Sequence, residues 1–459
     1  MSSFDALLPS NLFFAPRKAG GFFILVVIGK MNLMKFISDL HIHSKYSRAV
    51  SPNMVLEELD RWADDKGILV MGTGDFTHPA WFKEIKEKLE PAEPGLFKLK
   101  LAFKKRTIKD TLAETRFMLT VEISSIYRRG DKTRRVHNLV FAPDLATAEK
   151  INAQLSRIGN IASDGRPILG LDSEELLKIV LSANSKAAVL PAHAWTPWFS
   201  VFGSMSGFDT LEECFGDNAK HIFAIETGLS SDPAMNWRLS KLDKIALISN
   251  SDSHSLQRIG REANMFDTEL SYDGIVGAIK SNDPKKFLMT IEFFPEEGKY
   301  HYDGHRVCSV VWEPEETFKN KGICTGCHKP VTVGVVNRVA KLADRPSGYK
   351  DTRRVPYVNL VTLDQVIGEA LDVGPKAKAV KKEYDPLIKA FGSELNILMN
   401  VKINELSLVA RPRIVEGINR MRAGKLKIRP GYDGEYGEVR IFNDEDRKKI
   451  ANRSAPFSH

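Results

Sequence analysis

Short apolar runs alternate with helix-like segments between residues 34 and 290. Two apolar runs, residues 35–38 and 68–71, flank a helix-like stretch over residues 55–65. This alternation predicts βα units with parallel strands, and therefore an α/β fold. Further strands are predicted by the apolar runs at residues 117–123, 137–141, 187–191, 221–226 and 244–250. Seven strand ends that converge on one mouth would make a barrel.

The alternation stops near residue 298. The following stretch, residues 298–348, is rich in His, Cys, Gly and Lys and indicates a small inserted or linking module. A chain of 459 residues exceeds what one core usually serves, so several domains are expected. Beyond the module, helices are predicted over residues 360–369, 377–391 and 412–422. We predict four segments, at residues 1–33, 34–297, 298–348 and 349–459.

The first segment, residues 1–33, contains a strongly apolar run at residues 20–29. This run is too short to span a bilayer. A signal peptide would end in a small-residue cleavage site, and none follows before Lys30. We therefore interpret the segment as an extension upstream of a start at Met31 or Met34, with a signal peptide as the alternative.

Composition adds expectations about partners and compartment. The formal charge of +8 favours a polyanionic partner such as nucleic acid, although charge alone is weak evidence on so long a chain. The chain has only four cysteines, which favours a reducing compartment over a disulfide framework. We expect a cytoplasmic location and no membrane association.

Histidines and carboxylates collect at the ends of the predicted strands. His41 and His43 follow the first strand two positions apart, so extended backbone points both imidazoles to the same side. Asp252 and His254 repeat this spacing after the strand at 244–250. Because the carboxyl ends of parallel strands form the functional edge of α/β folds, we expect these side chains to meet.

Further candidate ligands lie at or near the strand ends between these two pairs, namely Asp75, His78, Glu122, His137 and His193. Neutral imidazoles together with carboxylates suit zinc, manganese or iron, and a bridging carboxylate can hold two ions close together. Two ions generate a hydroxide nucleophile at neutral pH and neutralise the oxygens of an attacked phosphate. The set therefore predicts a metal-dependent phosphoesterase.

The module at residues 298–348 holds three of the four cysteines. It contains two candidate knuckles whose ligands are His305, Cys308, Cys324 and Cys327. Four such ligands predict a tetrahedral structural zinc site, which leaves no open position for catalysis. His301 and His328 are alternative fourth ligands, and we favour His305 because it forms a two-residue-gap knuckle with Cys308.

The order of the strand-end segments resembles the PHP family, the polymerase and histidinol-phosphate phosphatase superfamily of metal phosphoesterases, over roughly residues 34–290. The resemblance implies a distorted β/α barrel of PHP type. It implies that the candidate catalytic residues hold one ion, these residues being His41, His43, Glu122 and Asp252. It also implies that Glu122, His137 and His193 hold a second ion.

A third ion would be held with the help of His78 and His254. The family's usual second motif has Asp followed at once by His, whereas here Phe76 and Thr77 separate Asp75 from His78. Asp75 could supply the missing ligand, or the site could hold two ions. We therefore expect two or three divalent ions in the active site, Zn, Mg or Mn, and one structural Zn in the module.

Over residues 34–442 the chain resembles the endonuclease Q family of PHP-type DNA repair nucleases. The most telling segments are residues 39–47, 191–199, 300–306 and 429–437. The resemblance implies cleavage of DNA on the 5′ side of a deaminated base, hypoxanthine or uracil, or of an abasic site. Enzymes that inspect single bases generally extrude them, and damaged pairs cost least to open. The expected partner is DNA with damaged or deaminated bases; no repair or replication protein is identified.

This resemblance gives each segment a role. Residues 34–297 would be the catalytic domain, residues 298–348 the zinc-binding module, and residues 349–459 a mainly helical DNA-binding domain. Candidate walls of a base pocket are Trp195, Trp198 and Phe199, with core packing as the alternative. Candidate phosphate contacts are Arg128, Arg129, Arg134 and Arg135, with a solvated face as the alternative.

Two other functions are compatible with the metal-ligand set. A PHP phosphatase acting on a small phosphate monoester is disfavoured by the basic charge and by the modules beyond residue 290, which a small substrate does not need. A catalytically inactive, PHP-derived nucleic-acid-binding module is disfavoured by the nearly complete set of ligands.

Overall fold

The computed structural model describes residues 33–443 and residue 446, so the predicted extension up to residue 32 lies outside the described residues. The strands are β1 (Leu33–Asp39), β2 (Val70–Gly72), β3 (Leu89–Pro91), β4 (Phe97–Leu99), β5 (Arg116–Arg129), β6 (Lys132–Ala142), β7 (Ile168–Leu169), β8 (Ala188–Pro191), β9 (Ala224–Glu226), β10 (Ala246–Ile248), β11 (Ala263–Glu269), β12 (Phe287–Glu292), β13 (Asp303–His305), β14 (Val310–Trp312), β15 (Tyr357–Asn359), β16 (Lys427–Arg429) and β17 (Glu438–Arg440).

The α-helices alternate with these strands in the first part of the chain and then predominate in its last part. They are α1 (Leu56–Lys66), α2 (Pro79–Lys88), α3 (Leu145–Leu155), α4 (Ser173–Ala183), α5 (Leu211–Phe215), α6 (Pro233–Asn236), α7 (Tyr272–Ser281), α8 (Pro314–Lys319), α9 (Val335–Leu342), α10 (Leu363–Leu371), α11 (Lys378–Phe391), α12 (Glu394–Met399), α13 (Ile403–Leu406) and α14 (Pro412–Arg422).

Eleven of the described strands form one mixed sheet. Its main path runs β15, β12, β11, β1, β2, β5, β4, β3, while β6 joins β5 to β8, and β7 pairs with β5. Strands β1, β2 and β5 are parallel, and β9 and β10 form a separate parallel pair. The buried strands carry the apolar runs that the sequence pattern identifies, such as Val70–Gly72 and Ala246–Ile248.

Backbone hydrogen bonds at the strand ends connect the two sheets into a ring. Ala194 N–H donates to Glu226 O at 2.9 Å and joins the end of β8 to β9, while Thr227 N–H donates to Ile248 O at 2.9 Å and joins β9 to β10. His43 N–H donates to the carbonyl of Ser253 at 3.0 Å and connects the end of β10 back to β1. The seven predicted strands therefore close around one mouth, and the predicted barrel class is confirmed.

One strand runs against the prediction of parallel βα units. Strands β5 and β6 form an antiparallel hairpin with Arg129 opposite Lys132, and β6 also runs antiparallel to β8. The turn uses Gly130 at φ 60°, a backbone conformation that costs glycine little. The expectation that all seven strands are parallel is therefore wrong for β6, because a tight turn replaces the crossover helix.

The later part of the chain packs onto this sheet. The hairpin of β13 and β14 carries the first knuckle of the cysteine module. Strand β15 extends the main sheet by pairing in parallel with β12, and helices α10, α11 and α14 fall where the sequence predicts helices. Lys66 in α1 reaches Glu394 in α12 through a buried ion pair of 2.6 Å. The C-terminal helices therefore share a core with the barrel.

No described helix is both long enough and apolar enough to cross a membrane.

Candidate active site

The first group of ligand candidates forms where β1 and β10 end. His41 and His43 are both buried, and the residue between them forms a bridge with Ser253. Nε2 of His43 lies 3.0 Å from Oδ1 of Asp252 and 3.3 Å from Oε2 of Glu122. One ligand atom from each of His41, His43, Glu122 and Asp252 lies within 4.8 Å of the others. This group can hold one metal ion.

A second group forms on the antiparallel hairpin. Glu122 on β5 and His137 on β6 are diagonal neighbours on one face, because His137 lies opposite Ser124. Oε1 of Glu122 lies 2.7 Å from Nδ1 of His137 and 2.9 Å from Nε2 of His193. These three residues form a separate group that can hold an ion. Glu122 therefore turns one oxygen toward each group.

The surroundings of the imidazoles show that these residues fit metal ions. Nδ1 of His41 contacts both oxygens of Glu226 at 3.0 Å, and its buried Nε2 has no hydrogen-bond partner within the described structure. Nδ1 of His43 contacts Oδ1 of Asp75 at 3.1 Å. A carboxylate on Nδ1 fixes the proton there and leaves the Nε2 lone pair for a cation. A buried Nε2 that has no hydrogen-bond partner and faces two carboxylates is in the environment expected of a metal ligand.

The electrostatics also suit cation binding. Burial alone would raise the pKa of Glu122, but His137, Arg166 and His41 hold it well below its usual range. Burial lowers the pKa of His137 to about 4, although Glu122 opposes this. Burial would likewise raise the pKa of Asp252, which His43 and His41 lower strongly. Glu122, Asp252 and His137 are therefore in the forms that bind a metal ion. Burial would lower the pKa of His41 and His43, but the adjoining carboxylates raise it well above its usual range, so these two imidazoles would release a proton when an ion binds.

The three candidates for a third ion have other partners. Asp75 accepts hydrogen bonds from Ser44 N–H at 2.6 Å and from the hydroxyl of Ser47 at 2.9 Å, in addition to its contact with His43. Nε2 of His78 donates to a backbone carbonyl, and its ring stacks on Tyr46. His254 packs its ring 4.7 Å from that of His43. Within the described residues, none of the three belongs to either ligand group.

Two residues of the site were missed by the sequence-based prediction. Glu226 accepts the backbone N–H of His193 at 2.8 Å and holds His41. It ends the predicted strand at 221–226, so its position at a strand end was an available signal. Arg166 places Nη1 3.1 Å from Oε2 of Glu122. It lies on a loop that approaches from elsewhere in the chain, and no pattern in the sequence marks it.

A cavity of about 900 Å³ opens from the second ligand group. Trp198 and Phe199 line it beside His137 and His193, and the ring of Phe199 lies 4.8 Å from that of His137. Trp195 is not among the residues that line the cavity. It is only 1% exposed, and its Nε1–H donates to Oδ1 of Asn236 at 2.7 Å. Of the three aromatic candidates, Trp195 therefore takes the core-packing alternative.

The four candidate arginines of the hairpin differ in their surroundings. Arg129 forms an ion pair with Asp172 at 2.8 Å, and Arg134 donates to the carbonyl of Gly207 while stacking on Phe208. These two serve local structure. Arg135 lies over the ring of Phe199, next to the cavity, and Arg128 is exposed near the turn.

The cysteine module assembles a separate ligand group. Its members are His305, Cys308, Cys324 and Cys327, with their ligand atoms within 4.8 Å of one another. Sγ of Cys327 lies 3.5 Å from Nδ1 of His305. Neither of the alternative histidines, His301 or His328, belongs to this group within the described residues. The four residues offer the tetrahedral donor set of a structural zinc site.

Two solved structures are similar to this chain over nearly its whole length. The crystal structure of the lesion-specific endonuclease PfuEndoQ from Pyrococcus furiosus matches with a TM-score of 0.77 and 32% identity, covering 91% of this chain and 99% of that chain. The crystal structure of endonuclease Q with a 27-mer duplex substrate that has an abasic lesion at the active site matches with the same TM-score and identity, covering 90% and 98%.

Sequence comparison identifies further related proteins. The uncharacterized protein YqxK of Bacillus subtilis is 29% identical over 432 residues, which span 89% of this chain and all of that protein. The uncharacterized protein MJ0043 of Methanocaldococcus jannaschii is 33% identical over 255 residues. The match spans 54% of this chain but only 31% of that protein. The family described as the MJ0043 C-terminal domain matches residues 362–425, which contain the helices from α10 to α14.

Proposed function

The chain belongs to the endonuclease Q family, and we propose that it is a metal-dependent DNA endonuclease. The observation that carries this proposal is the position of Glu122, whose two oxygens face two ligand groups at one end of a large cavity. A pair of ions held by one bridging carboxylate is suited to in-line displacement at phosphorus, because it can contact both the attacking and the leaving oxygen.

We propose that the site holds two divalent ions, Zn, Mg or Mn. His41, His43 and Asp252 would hold the first, His137 and His193 the second, and Glu122 both. When bound, the ions would activate water as the nucleophile and neutralise charge on the phosphate oxygens. Two ions are preferred to three because the remaining candidates are engaged by other partners, as for Asp75 with Ser44 and His78 with Tyr46.

The protein's own residues prepare this chemistry. Glu226 and Asp75 keep the Nε2 atoms of His41 and His43 directed at the ion, so the ligands need no rearrangement when substrate binds. In the hydrolysis a water oxygen bonds to phosphorus and one P–O ester bond breaks. The leaving oxygen takes a proton to become a hydroxyl, and the other product is a phosphate monoester.

The cavity supports a nucleic-acid substrate. Its walls combine the aromatic rings of Trp198, Phe199 and Tyr300 with the cationic side chains of Arg258 and Lys299. Aromatic rings stack on bases and cations bind the phosphate backbone. These residues come from the barrel and from the start of the module, and Gln365 and Tyr436 add a wall from the C-terminal region. A DNA backbone that follows the cavity would therefore contact all three.

We infer that the preferred substrates are abasic sites and the deaminated bases hypoxanthine and uracil, cut on the 5′ side. A damaged or missing base costs least to extrude from the stack, so such a nucleotide enters the cavity most easily. Trp198 and Phe199 would line the space that the extruded nucleotide occupies. The related endonuclease Q, crystallised with a duplex that has an abasic lesion at its active site, supports the abasic site among these substrates.

We further propose that His305, Cys308, Cys324 and Cys327 hold one structural zinc ion. The ion would fix the module whose first residues line the cavity. All four cysteines of the chain are free, which fits a reducing, cytoplasmic location.

The decisive experiment incubates the protein with Mg, Mn or Zn and end-labelled duplexes. The duplexes carry one hypoxanthine, one uracil, one abasic site or no lesion, and a small phosphate monoester is assayed in parallel. We expect a single cut on the 5′ side of each lesion, and none after chelation of the metal. Glu122→Gln, which changes the bridging carboxylate, is the inactive control.

The other outcomes identify the alternatives. Equal cleavage of the undamaged duplex would contradict lesion specificity. Hydrolysis of the monoester alone would identify a phosphatase, and DNA binding without hydrolysis under every metal condition would identify an inactive binding module.

A further inference from the structure

The guanidinium of Arg166 lies against the bridging carboxylate of the metal centre. Its Nη1 is 3.1 Å from Oε2 of Glu122, and three quarters of the side chain is buried. Arg166 is on the loop between α3 (Leu145–Leu155) and β7 (Ile168–Leu169). Among the described ion pairs, Arg166 is the one arginine that contacts a member of either active-site ligand group.

Several contacts fix this loop against the site. Gly165 N–H donates to the carbonyl of Tyr46 at 3.0 Å, and Ser124 N–H donates to the carbonyl of Pro167 at 3.0 Å. Arg166 N–H donates to Oδ1 of Asp164 at 3.1 Å. These bonds connect the loop on both sides of Arg166 to the barrel, so the backbone at Arg166 is fixed within reach of Glu122.

The close approach also requires a glycine. A Cβ at Gly165 would lie 2.3 Å from Oδ2 of Asp75 and 2.4 Å from the hydroxyl oxygen of Ser47. Asp75 is the carboxylate that orients His43. The loop therefore packs against the supporting contacts of the first ligand group as tightly as the chain allows.

The balance of charge in the site with two divalent ions bound explains why an arginine at this position favours the binding of an anion. Two divalent ions bring four positive charges. The two ligand groups contain two carboxylates, Glu122 and Asp252, and two more, Glu226 and Asp75, lie against the ligand histidines. Arg166 adds a further positive charge beside them. The arginine therefore makes the filled site net positive in this count, so a negatively charged group that binds among these cations is favoured.

We propose that Arg166 is a catalytic residue that binds a non-bridging oxygen of the scissile phosphate. A guanidinium has five N–H donors in a planar fork, and Glu122 occupies one nitrogen, so other donors are available to a phosphate oxygen. As water adds to phosphorus and the ester bond breaks, Arg166 stabilises the negative charge that increases on that oxygen. This inference rests on the proposed function of the site.

The test compares Arg166→Met and Arg166→Lys with Arg157→Met, an exposed arginine near the start of the same loop. For each variant, the active-site metal content is measured by elemental analysis. The dissociation constant of inorganic phosphate is measured on the metal-loaded protein, and single-turnover cleavage is followed on an abasic duplex. The lysine variant keeps the charge, so it guards against a folding defect in the methionine variant.

We expect Arg166→Met to keep its metal ions but to bind phosphate about 10- to 100-fold more weakly, as the loss of a charged hydrogen bond predicts. Its cleavage rate should fall by about 100- to 1,000-fold. Arg166→Lys should recover part of the phosphate affinity, and Arg157→Met should match the wild type in all three measurements.

Two results would overturn the inference. If Arg166→Met binds phosphate as the wild type does, Arg166 does not contact the phosphate. If both Arg166 variants lose metal ions, the arginine instead positions Glu122. A wild-type protein that binds phosphate through Arg166 but cleaves no duplex would contradict the proposed endonuclease function and leave the phosphate contact standing.

Discussion

Nδ1 of His41 lies 3.0 Å from both carboxylate oxygens of Glu226, and both side chains are fully buried. Glu226 fixes which nitrogen of His41 carries the proton and so leaves Nε2 for a metal ion. The same carboxylate accepts the backbone N–H of His193, a ligand candidate of the second group. One side chain outside both groups therefore aligns a ligand of each.

Replacing Glu226 should weaken metal binding without removing a ligand. Glu226→Gln keeps the size of the side chain but substitutes a neutral amide for the ionised acceptor of His41. We expect the affinity for Zn or Mn to fall by about 10- to 100-fold, measured by competition with a chelator. Glu175→Gln, at an exposed glutamate on α4, is the control. Equal metal affinity in both variants would show that Glu226 does not orient the ligands.

Replacing Asp252 should separate catalysis from DNA binding. Asp252→Asn removes a charged member of the first ligand group and leaves the cavity intact, so we expect the cleavage rate to fall by about 100- to 1,000-fold. Binding of an abasic duplex should persist, because phosphate contacts supply most of the affinity. Single-turnover cleavage and fluorescence anisotropy measure the two properties, and His43→Ala should behave similarly. A variant that still cleaves normally would exclude Asp252 as a ligand.

A methyl group at Gly165 should disturb the site, and one at Gly170 should not. The added Cβ at Gly165 meets Asp75 and Ser47, whereas nothing lies within 4 Å of a Cβ at Gly170. We expect Gly165→Ala to lower the free energy of unfolding by about 1–3 kcal/mol and to slow cleavage. Urea unfolding and cleavage rates check this. If Gly165→Ala and Gly170→Ala had the same stability and cleavage rate, the loop would be able to shift and accommodate the added methyl group.

The cysteine module should lose zinc independently of the active site. Cys324→Ser removes a buried ligand, so we expect one fewer zinc ion per chain and a lower melting temperature. Cys214→Ser is the matched control, since Cys214 is also buried but lies outside the ligand group. Elemental analysis and thermal unfolding distinguish them. Zinc retained by Cys324→Ser would contradict the assignment.

Substitutions of the two tryptophans on either side of Pro197 should affect two different properties, DNA binding and stability. Trp198 is exposed at the cavity, so Trp198→Ala should weaken lesion binding by about 1–3 kcal/mol with little change in stability. Trp195→Phe should instead lower stability by about 1–3 kcal/mol, because Asn236 loses the indole N–H. Anisotropy with an abasic duplex and urea unfolding measure the two effects. If Trp198→Ala lowered stability and Trp195→Phe weakened lesion binding, the roles assigned to these two residues would be wrong.

The parts of the site that follow from local periodicity could be predicted from the sequence. His41 and His43 share a side because extended backbone alternates its side chains, and Asp252 follows a short apolar run whose length favours a strand. These local rules also place all seven strands of the ring. These rules did not predict the antiparallel direction of β6, because Gly130 is compatible with a loop as well as with a tight hairpin turn.

The parts of the site that depend on distant contacts could not be predicted. Arg166 reaches Glu122 because its loop bonds to Tyr46, more than a hundred residues earlier in the chain. His78 was a ligand candidate by spacing, but the carbonyl of Ala162 and the ring of Tyr46 hold it elsewhere. No periodicity within a single segment carries information about such pairs.

The ion pair between Lys66 and Glu394 has a consequence for how the chain can be divided. Both side chains are at most 4% exposed, and Glu394 also accepts a hydrogen bond from Tyr384. A chain shortened at residue 348 would lose Glu394 together with the C-terminal helices that cover Lys66, and it would expose the apolar core that the barrel shares with these helices. It would also expose the edge of β12 that pairs with β15. Because of these shared contacts, we expect a functional chimera to exchange the barrel and the C-terminal helices together and not separately.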